Sequence, residues 1–231
     1  MSDPSASKGC TKLYLITTPY ISMDFNSALW SQGREKSHIG AIRAAVDAGV
    51  KHVYYTSLAF GPKSGAGVMR AHLRTEAFLK GLEGEGLRVT VLREGIYNNS
   101  WPLYLVYFDP QGDERGEVLL AGDGRIIWTA IKNSGLGSAI GGARSSKEFA
   151  TLVAKAKGEG VSVKVVGTEK YVDHYVKRGS ERSSVEWRSS TYRALDKGEC
   201  LIEDSTLDEL LAGRGVKPTT VEKTLEKILK H

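Results

Sequence analysis

The sequence predicts an α/β fold: an open, doubly wound parallel sheet comes first, and a smaller, mainly helical lobe follows. Three short β-prone runs alternate with two amphipathic helical segments in the order β-α-β-α-β, with short connections between them. This order is typical of parallel strands joined by right-handed helical crossovers. Beyond residue 100 the pattern changes to polar helical segments with isolated strand-like pieces. We therefore divide the chain into residues 1–100 and residues 101–231.

Three runs predict the strands of the first part. Residues 12–18 (KLYLITT) form an apolar run that is closed by Pro19. Residues 52–57 (HVYYTS) and residues 89–93 (VTVLR) are the second and third runs. Runs of this length and composition favour buried strands of a parallel sheet.

Two segments predict the helices between these strands. In residues 34–48 the apolar side chains recur at three- and four-residue spacing, and Gly49 stands where a helix end favours glycine. A glycine-containing loop, residues 61–67, leads into the second helix over residues 68–82. The apolar positions of the first helix are Ile39, Ile42, Ala45 and Val46.

The sequence of the second part predicts shorter helices and strands. Aromatic residues crowd positions 101–108, where helical spacing favours a packing stripe between the two lobes, although an aromatic substrate such as a quinone would also suit them. A helix after Pro218 would bury Val221, Leu225, Ile228 and Leu229. The remaining expectations are strands at 118–121, 126–131 and 161–166, a flexible stretch at 135–142 and a helix at 145–157.

Composition excludes several classes of protein. With 41% hydrophobic and 26% charged residues among 231, the chain has an ordinary globular composition. The net charge of +5 comes from basic and acidic residues that are interspersed, which argues against a nucleic-acid-binding surface. No apolar run approaches the roughly 18 residues of a membrane span, and Cys10 and Cys200 lack metal-ligand spacing. We expect two free thiols, no metal site and a cytoplasmic location, with the nucleus as an alternative.

The ends of the three strands are the expected site. In open α/β sheets, ligands bind outside the carboxyl ends of the strands. The residues in this position are Thr17, Thr18 and Pro19, then Thr56, Ser57 and Leu58, and finally Glu94, Gly95, Ile96 and Tyr97.

Three common motifs of nucleotide-binding proteins and reductases have no full match in the sequence. The nearest approach to G-x-G-x-x-G, at residues 135–141, starts too far after its strand and favours a flexible joint over a phosphate site. The loop at 61–67 lacks the Gly-Lys-Ser/Thr ending of a P-loop and is interpreted as a loop that faces the substrate. Ser57 occupies the place of the serine in short-chain dehydrogenases, but no Tyr is followed by Lys at the fourth position.

Two side chains are candidates for chemistry. His72 would lie one helical turn from Glu76 and could donate a proton or a hydrogen bond. A structural histidine that is satisfied by polar neighbours is the alternative. Tyr97 could stack on a planar ring or donate its phenolic proton, and a core-edge aromatic residue is the alternative.

Three segments resemble one family. HVYYTSLAFG at 52–61, HLRTE at 72–76 and VTVLREGIYNNSWPLY at 89–104 occur in the order found in the fungal NmrA-like family of atypical short-chain dehydrogenases. The opening residues and the tail, from Trp187 onward, are also similar to that family. The resemblance implies a partial NAD(P)-binding, Rossmann-like domain over residues 1–100. It also implies a lobe for substrate or partner over residues 101–231, with some of its strands returning to the first domain.

The resemblance also implies a cofactor and a reaction. NADP or NAD would contact Thr17, Thr18, Pro19, Thr56, Ser57, Leu58, Gly95 and Ile96, while His72 and Tyr97 would be catalytic. The expected function is NAD(P)H-dependent reduction of a quinone or related carbonyl. One alternative is a non-catalytic redox sensor or transcriptional co-regulator that binds a protein partner, and another is a truncated, inactive product.

The sequence departs from the family at its start. The first β-α-β unit of the family, which carries G-x-x-G-x-x-G, has no counterpart in residues 1–231. Without that unit we expect a lower affinity for the cofactor and an exposed apolar edge on the first strand.

Overall fold

The computed structural model describes residues 7–109, 112–130, 142–157, 160–201, 209, 212–213, 215 and 219–229. The predicted flexible stretch at 135–142, apart from Gly142, lies outside these residues, and so does the weak glycine motif at 135–141. The described part of the chain holds eight strands and seven α-helices.

The predicted parallel sheet is confirmed. Its strands pair in the order β1-β2-β3, and both pairings are parallel. The two predicted helices connect these strands, and their apolar faces pack on one face of the sheet around Ile42, Val53 and Leu79, each of which is fully buried. The elements are β1 (Lys12–Leu15), α1 (Glu35–Asp47), β2 (His52–Leu58), α2 (Met69–Glu83) and β3 (Arg88–Glu94).

Gly49 ends α1 as the sequence predicts. Its φ of +98° lies in the left-handed region, which only glycine enters without strain. The chain reverses there and enters β2 three residues later.

The described residues after β3 contain more strand than the sequence predicts. Five short strands form two further small sheets, ordered β4-β6-β7 and β5-β8. Two of them, β4 and β7, have only two residues each, too short for a periodic signal. The elements are β4 (Ile96–Tyr97), α3 (Trp101–Tyr104), β5 (Glu117–Leu120), β6 (Ile126–Thr129), β7 (Ala143–Arg144), α4 (Ser146–Lys157), β8 (Ser162–Val165), α5 (Thr168–Val176), α6 (Arg182–Asp196) and α7 (Val221–Leu229).

The aromatic segment at 101–108 forms part of a core. The Trp128 ring lies with its centroid 4.4 Å from that of Phe149 and 5.4 Å from that of Tyr104. Trp101 is buried in the same cluster, whereas Tyr107 is 57% exposed. Packing therefore accounts for most of this segment. In α7, Val221 and Leu225 are buried as predicted.

The expected exposed strand edge is confirmed. Among the described strands, β1 pairs only with β2. Tyr14 and Ile16 are 47% and 69% exposed at this edge. An unpaired edge with exposed apolar side chains is a surface on which further pairing is favourable.

The two cysteines are free thiols, as expected, with Cys10 exposed and Cys200 buried. Within the described residues, we find no helix with the length and apolar character that a membrane crossing requires.

Candidate functional site

The ends of β1 and β2 come together as the sequence predicts. The Thr56 hydroxyl donates to the Leu15 carbonyl oxygen and accepts a hydrogen bond from the Thr17 N–H, both at 3.3 Å. The Thr18 N–H donates to Nε2 of His38 at 3.3 Å. The backbone N–H groups of Thr17 and Thr18 therefore both donate to side chains inside the fold, and these two bonds fix the end of β1. Pro19, the next residue, is exposed.

Ser57 faces α2. Its hydroxyl donates to Oε1 of Glu76 at 2.6 Å, and Arg93 donates to Oε2 of the same carboxylate at 2.7 Å. The serine is 1% exposed, so it fixes α2 against β2 and β3. Leu58 packs against the core of the second part.

The end of β3 holds a buried carboxyl group beside a phenol. Tyr97 donates its O–H to Oε2 of Glu94 at 2.6 Å. Glu94 is 2% exposed, and burial raises the pKa of its carboxyl group, an effect that the hydrogen bond from Tyr97 opposes. Its other oxygen, Oε1, is buried and has no hydrogen-bond partner among the described residues. Such an oxygen can accept a hydrogen bond from a ligand.

Gly95 and Ile96 join β3 to β4 in a tight junction. A Cβ atom at Gly95 would lie 2.6 Å from both the Ile127 carbonyl oxygen and the Thr129 hydroxyl. Ile96 is buried and pairs with Trp128 of β6. The absence of a side chain at Gly95 therefore allows β6 to approach, and this contact positions Tyr97.

His72 lies inside the fold, between α2 and β2. It is 2% exposed, and its Nδ1 forms a hydrogen bond with the Tyr55 hydroxyl at 3.1 Å. Burial, followed by the charge of Arg34, holds the pKa of His72 well below its ordinary value. The imidazole is therefore neutral, and its described ring contacts are with Tyr55 and His38 rather than with the strand-end carboxyl of Glu94.

His38 connects this buried cluster to the strand end. Thr75 donates its hydroxyl proton to the Ala71 carbonyl oxygen, so its oxygen accepts from Nδ1 of His38 at 3.1 Å. Nε2 of His38 accepts from the Thr18 N–H. A neutral imidazole satisfies both bonds, whereas a protonated one would lose the bond to Thr18.

Acidification is therefore expected to destabilise the protein through His38. Burial, and then Arg34, lower the pKa of His38 from 6.5 to about 4. Between these values the unfolded chain binds the proton and the folded chain does not, so stability falls as the pH falls through this window, by up to roughly 3 kcal/mol. Urea unfolding at about pH 7 and about pH 4.5 measures the loss.

The matched variant is His38→Gln, which has no titrating group. It should flatten the fall in stability, although His72 contributes in the same direction and Glu94 in the opposite one. An unchanged pH profile in His38→Gln would assign the acid sensitivity to other groups.

A wide cleft opens between α2 and α6; we call it the interlobe cleft. Its volume is about 540 Å³, within the usual range for small-molecule sites. Residues 64–67 of the loop at 61–67 border it. The Gly67 N–H donates to the Ser190 hydroxyl at 2.8 Å, and Ser64 donates to Glu199 at 2.6 Å, so the loop is held against α6 and the residues that follow it. The side chains of the cleft include Asp24, Arg70, Arg74, Glu186, Trp187 and Arg193.

Sequence reasoning missed the residues that α6 contributes to the cleft. They lie more than one hundred positions from the loop that they face. The only available signal was the apolar face of α6, which indicates burial but not what it packs against.

A buried ion pair supports both the cleft and the strand end. Arg34 donates from Nε to Oδ2 of Asp24 at 2.7 Å, and neither side chain is more than 4% exposed. The same guanidinium donates to the Val68 carbonyl oxygen at 2.9 Å and to the Thr18 carbonyl oxygen at 3.4 Å. One side chain thus holds the first turn of α2 and the end of β1 together.

Comparisons with known proteins agree with this fold. No family model matches the sequence. An NmrA-like family domain-containing oxidoreductase of Aspergillus flavus is 29% identical over 213 residues, which cover 83% of this chain and 67% of that protein. Quinone oxidoreductase 2 of Escherichia coli is 33% identical over 123 residues, which cover 53% of this chain and 37% of that protein.

A solved structure extends the similarity to almost the whole chain. The NADPH-dependent quinone oxidoreductase of Escherichia coli, complexed with NADPH, superposes with a TM-score of 0.73 at 22% identity. The superposition covers 98% of this chain and 79% of that protein. The chain is thus a homologue of an NmrA-like oxidoreductase and shares the Rossmann-like fold of the quinone oxidoreductase structure.

Proposed function

We propose that this protein is an NAD(P)H-dependent oxidoreductase that reduces a quinone or a related carbonyl compound. The observation that carries the proposal is the pairing of Tyr97 with the buried Glu94 at the end of β3. A phenol and a carboxyl group in contact form a short proton relay at the edge where ligands of such sheets bind. The relatives named above support the reaction class.

The strand ends offer groups that fit the nicotinamide half of the cofactor. The unpartnered Oε1 of Glu94 can accept a hydrogen bond from an amide or a ribose hydroxyl. Thr17, Thr18, Pro19 and Leu58 would hold the cofactor, together with Thr56, Ser57, Gly95 and Ile96. The N–H groups of Thr17 and Thr18 are already engaged, so these residues would bind through their outer surface rather than as a phosphate cradle.

Reduction of the quinone or carbonyl requires one hydride and one proton, and each comes from a different donor. When bound, NAD(P)H supplies the hydride. In the reactive arrangement the contact between the two side chains reverses: the protonated carboxyl group of Glu94 donates through Oε2 to the Tyr97 oxygen, and the phenolic proton of Tyr97 is directed to the oxygen of the quinone or carbonyl. Tyr97 gives up this proton and receives the proton of Glu94, which is left as a carboxylate. The raised pKa of Glu94 favours the protonated carboxyl group that this return step requires.

His72 takes a positioning role in this proposal. It forms a hydrogen bond with Tyr55 inside the fold, and its lowered pKa makes it a weak base. Its contact helps to hold α2 against β2, the strand that carries Thr56 and Ser57.

Two measurements test the proposal. Calorimetric titration of the 231-residue chain with NADPH and with NADH should detect saturable binding of at least one of them. NADPH oxidation in the presence of a quinone should then follow saturation kinetics. Absence of binding would reject the cofactor assignment, whereas binding without turnover would support a non-catalytic sensor.

The same proposal includes location and partners. We propose a cytoplasmic protein, which imaging of a tagged chain checks directly.

If a protein partner exists, the exposed edge of β1 at Tyr14 and Ile16 is the surface that it would use. Charged substitutions at both positions should then abolish the contact.

A further inference from the structure

Helix α7, the last described helix, lies against the segment that follows Tyr97. Two of its apolar side chains, Val221 and Leu225, are buried in the core of the second part. Its Thr224 contacts Asn98, the residue directly after β4. The helix is thereby held beside the strand that carries the proposed proton donor.

One buried hydrogen bond joins α7 to this segment. The side-chain amide of Asn98 donates from Nδ2 to the Thr224 hydroxyl oxygen at 2.9 Å, and the same hydroxyl donates to the Thr220 carbonyl oxygen at 3.1 Å. Asn98 is 0% exposed, and its Oδ1 atom has no partner among the described residues. Loss of Thr224 would leave the buried amide donor unpaired, which is costly. The position of the Asn98 side chain therefore depends on Thr224.

Helix α7 also contacts the other edge of the sheet that carries Tyr97. That sheet has the order β4-β6-β7, so β4 and β7 are its edge strands. Glu222 accepts a hydrogen bond from Nη2 of Arg144, the last residue of β7, at 3.3 Å. This pair is partly exposed, so we expect it to contribute less than the buried bond to Asn98.

The bond to Asn98 acts on the phenol through the backbone. Tyr97 pairs with Thr129 of β6, and Asn98 fixes the chain directly after it. The backbone that carries the Tyr97 ring is therefore held on two sides, while its hydroxyl lies 2.6 Å from Oε2 of Glu94. Proton transfer between two side chains needs them within hydrogen-bond reach, and a small displacement of either lowers the rate strongly.

We propose that Thr224 is a positioning residue, which through Asn98 holds the Tyr97 phenol against Glu94. The inference rests on the proposed oxidoreductase function for its effect on turnover. The state of the phenol is also observed without turnover, by NMR of the chain labelled with carbon-13 at Cζ of its tyrosines, because this signal responds to hydrogen bonding of the phenol. The resonance that is lost in Tyr97→Phe belongs to Tyr97.

Three variants test the role of the hydroxyl. Thr224→Val removes it and keeps the side-chain shape, so it should lower the turnover number for a quinone roughly tenfold, leave KM and NADPH affinity near the wild-type values, and shift the Tyr97 resonance. Thr224→Ser keeps the hydroxyl and should restore both the rate and the resonance. Thr151→Val is the matched control, because the Thr151 hydroxyl also donates to the carbonyl oxygen four residues before it but is exposed on α4. It should match the wild type in both measurements.

Two results would overturn the proposal. One is a Tyr97 resonance in Thr224→Val that is identical to that of the wild type. The other is an equal loss of rate in Thr224→Val and Thr151→Val, which would indicate a general effect of losing a helix hydroxyl. If the wild type turns over no quinone, the oxidoreductase proposal fails, and the resonance by itself decides whether Thr224 positions Tyr97. If Thr224→Val does not fold, Thr224→Ala replaces it, because alanine lacks the same hydroxyl and is a stronger helix former.

Discussion

Replacing Tyr97 by Phe is expected to lower the turnover number for a quinone by roughly 10²-fold or more, because the proton to the substrate oxygen loses its donor. The ring is kept, so stacking on a planar ligand and the affinity for NADPH should change little. Steady-state kinetics with NADPH and calorimetry on the same sample separate the two effects. Thermal unfolding of the same variant is measured as well, because Tyr97→Phe leaves Oε2 of the buried Glu94 without its hydrogen-bond donor.

Two further variants serve as a control and as a second test of the proton relay. Tyr20→Phe is the matched control, because Tyr20 is 69% exposed and the described hydrogen bond of the Glu94 side chain is with Tyr97. Glu94→Gln keeps an acceptor for Tyr97 but cannot return a proton, so it should lower the rate and remove the pH dependence that the raised pKa of Glu94 confers. Turnover of Tyr97→Phe equal to that of the wild type would exclude Tyr97 as the donor.

Replacing Arg34 by Met is expected to lower the free energy of unfolding by roughly 3–5 kcal/mol, because the carboxylate of Asp24 is left buried without its cation. Asp24 is 1% exposed, so water cannot replace the lost partner in the folded state. The carbonyl groups of Thr18 and Val68 lose a donor in the same variant. Urea unfolding monitored by tryptophan fluorescence measures the change.

The double variant Arg34→Met/Asp24→Leu is the decisive comparison. Removal of both charges leaves no uncompensated ion, so it should recover a large part of the stability lost in the single variant. Arg182→Met provides the exposed control, since Arg182 is paired at the surface and such pairs contribute about 0–1 kcal/mol. A single variant as stable as the wild type would mean that water reaches Asp24.

The first part of the fold was predictable because its signals are local. The strands at 12–18, 52–57 and 89–93 and the helices between them follow from periodicity and from glycine placement, and all five elements are present with shifted ends. The strands β4 and β7 were not predictable, since two residues carry no period and pair only because β6 lies between them.

The roles of individual site residues depended on which face of an element they occupy. His72 and Glu76 are one turn apart on α2, and the sequence indicates only that they share a side of the helix. In the fold, His72 meets Tyr55 and Glu76 meets Ser57, so both contacts face β2 rather than open space. The sequence cannot give this orientation because it is set by the packing of α1, α2 and the sheet.

The sequence by itself determined the α/β class, the parallel sheet of the first part, its strand-end residues and the resemblance to the NmrA-like family, because short-range periodicity and ordered motifs encode them. Only the tertiary structure decided that Tyr97 meets Glu94 at the end of β3, that His72 is internal, and that α6 faces the loop at 61–67. These contacts join residues on different elements, so their geometry depends on how the elements pack.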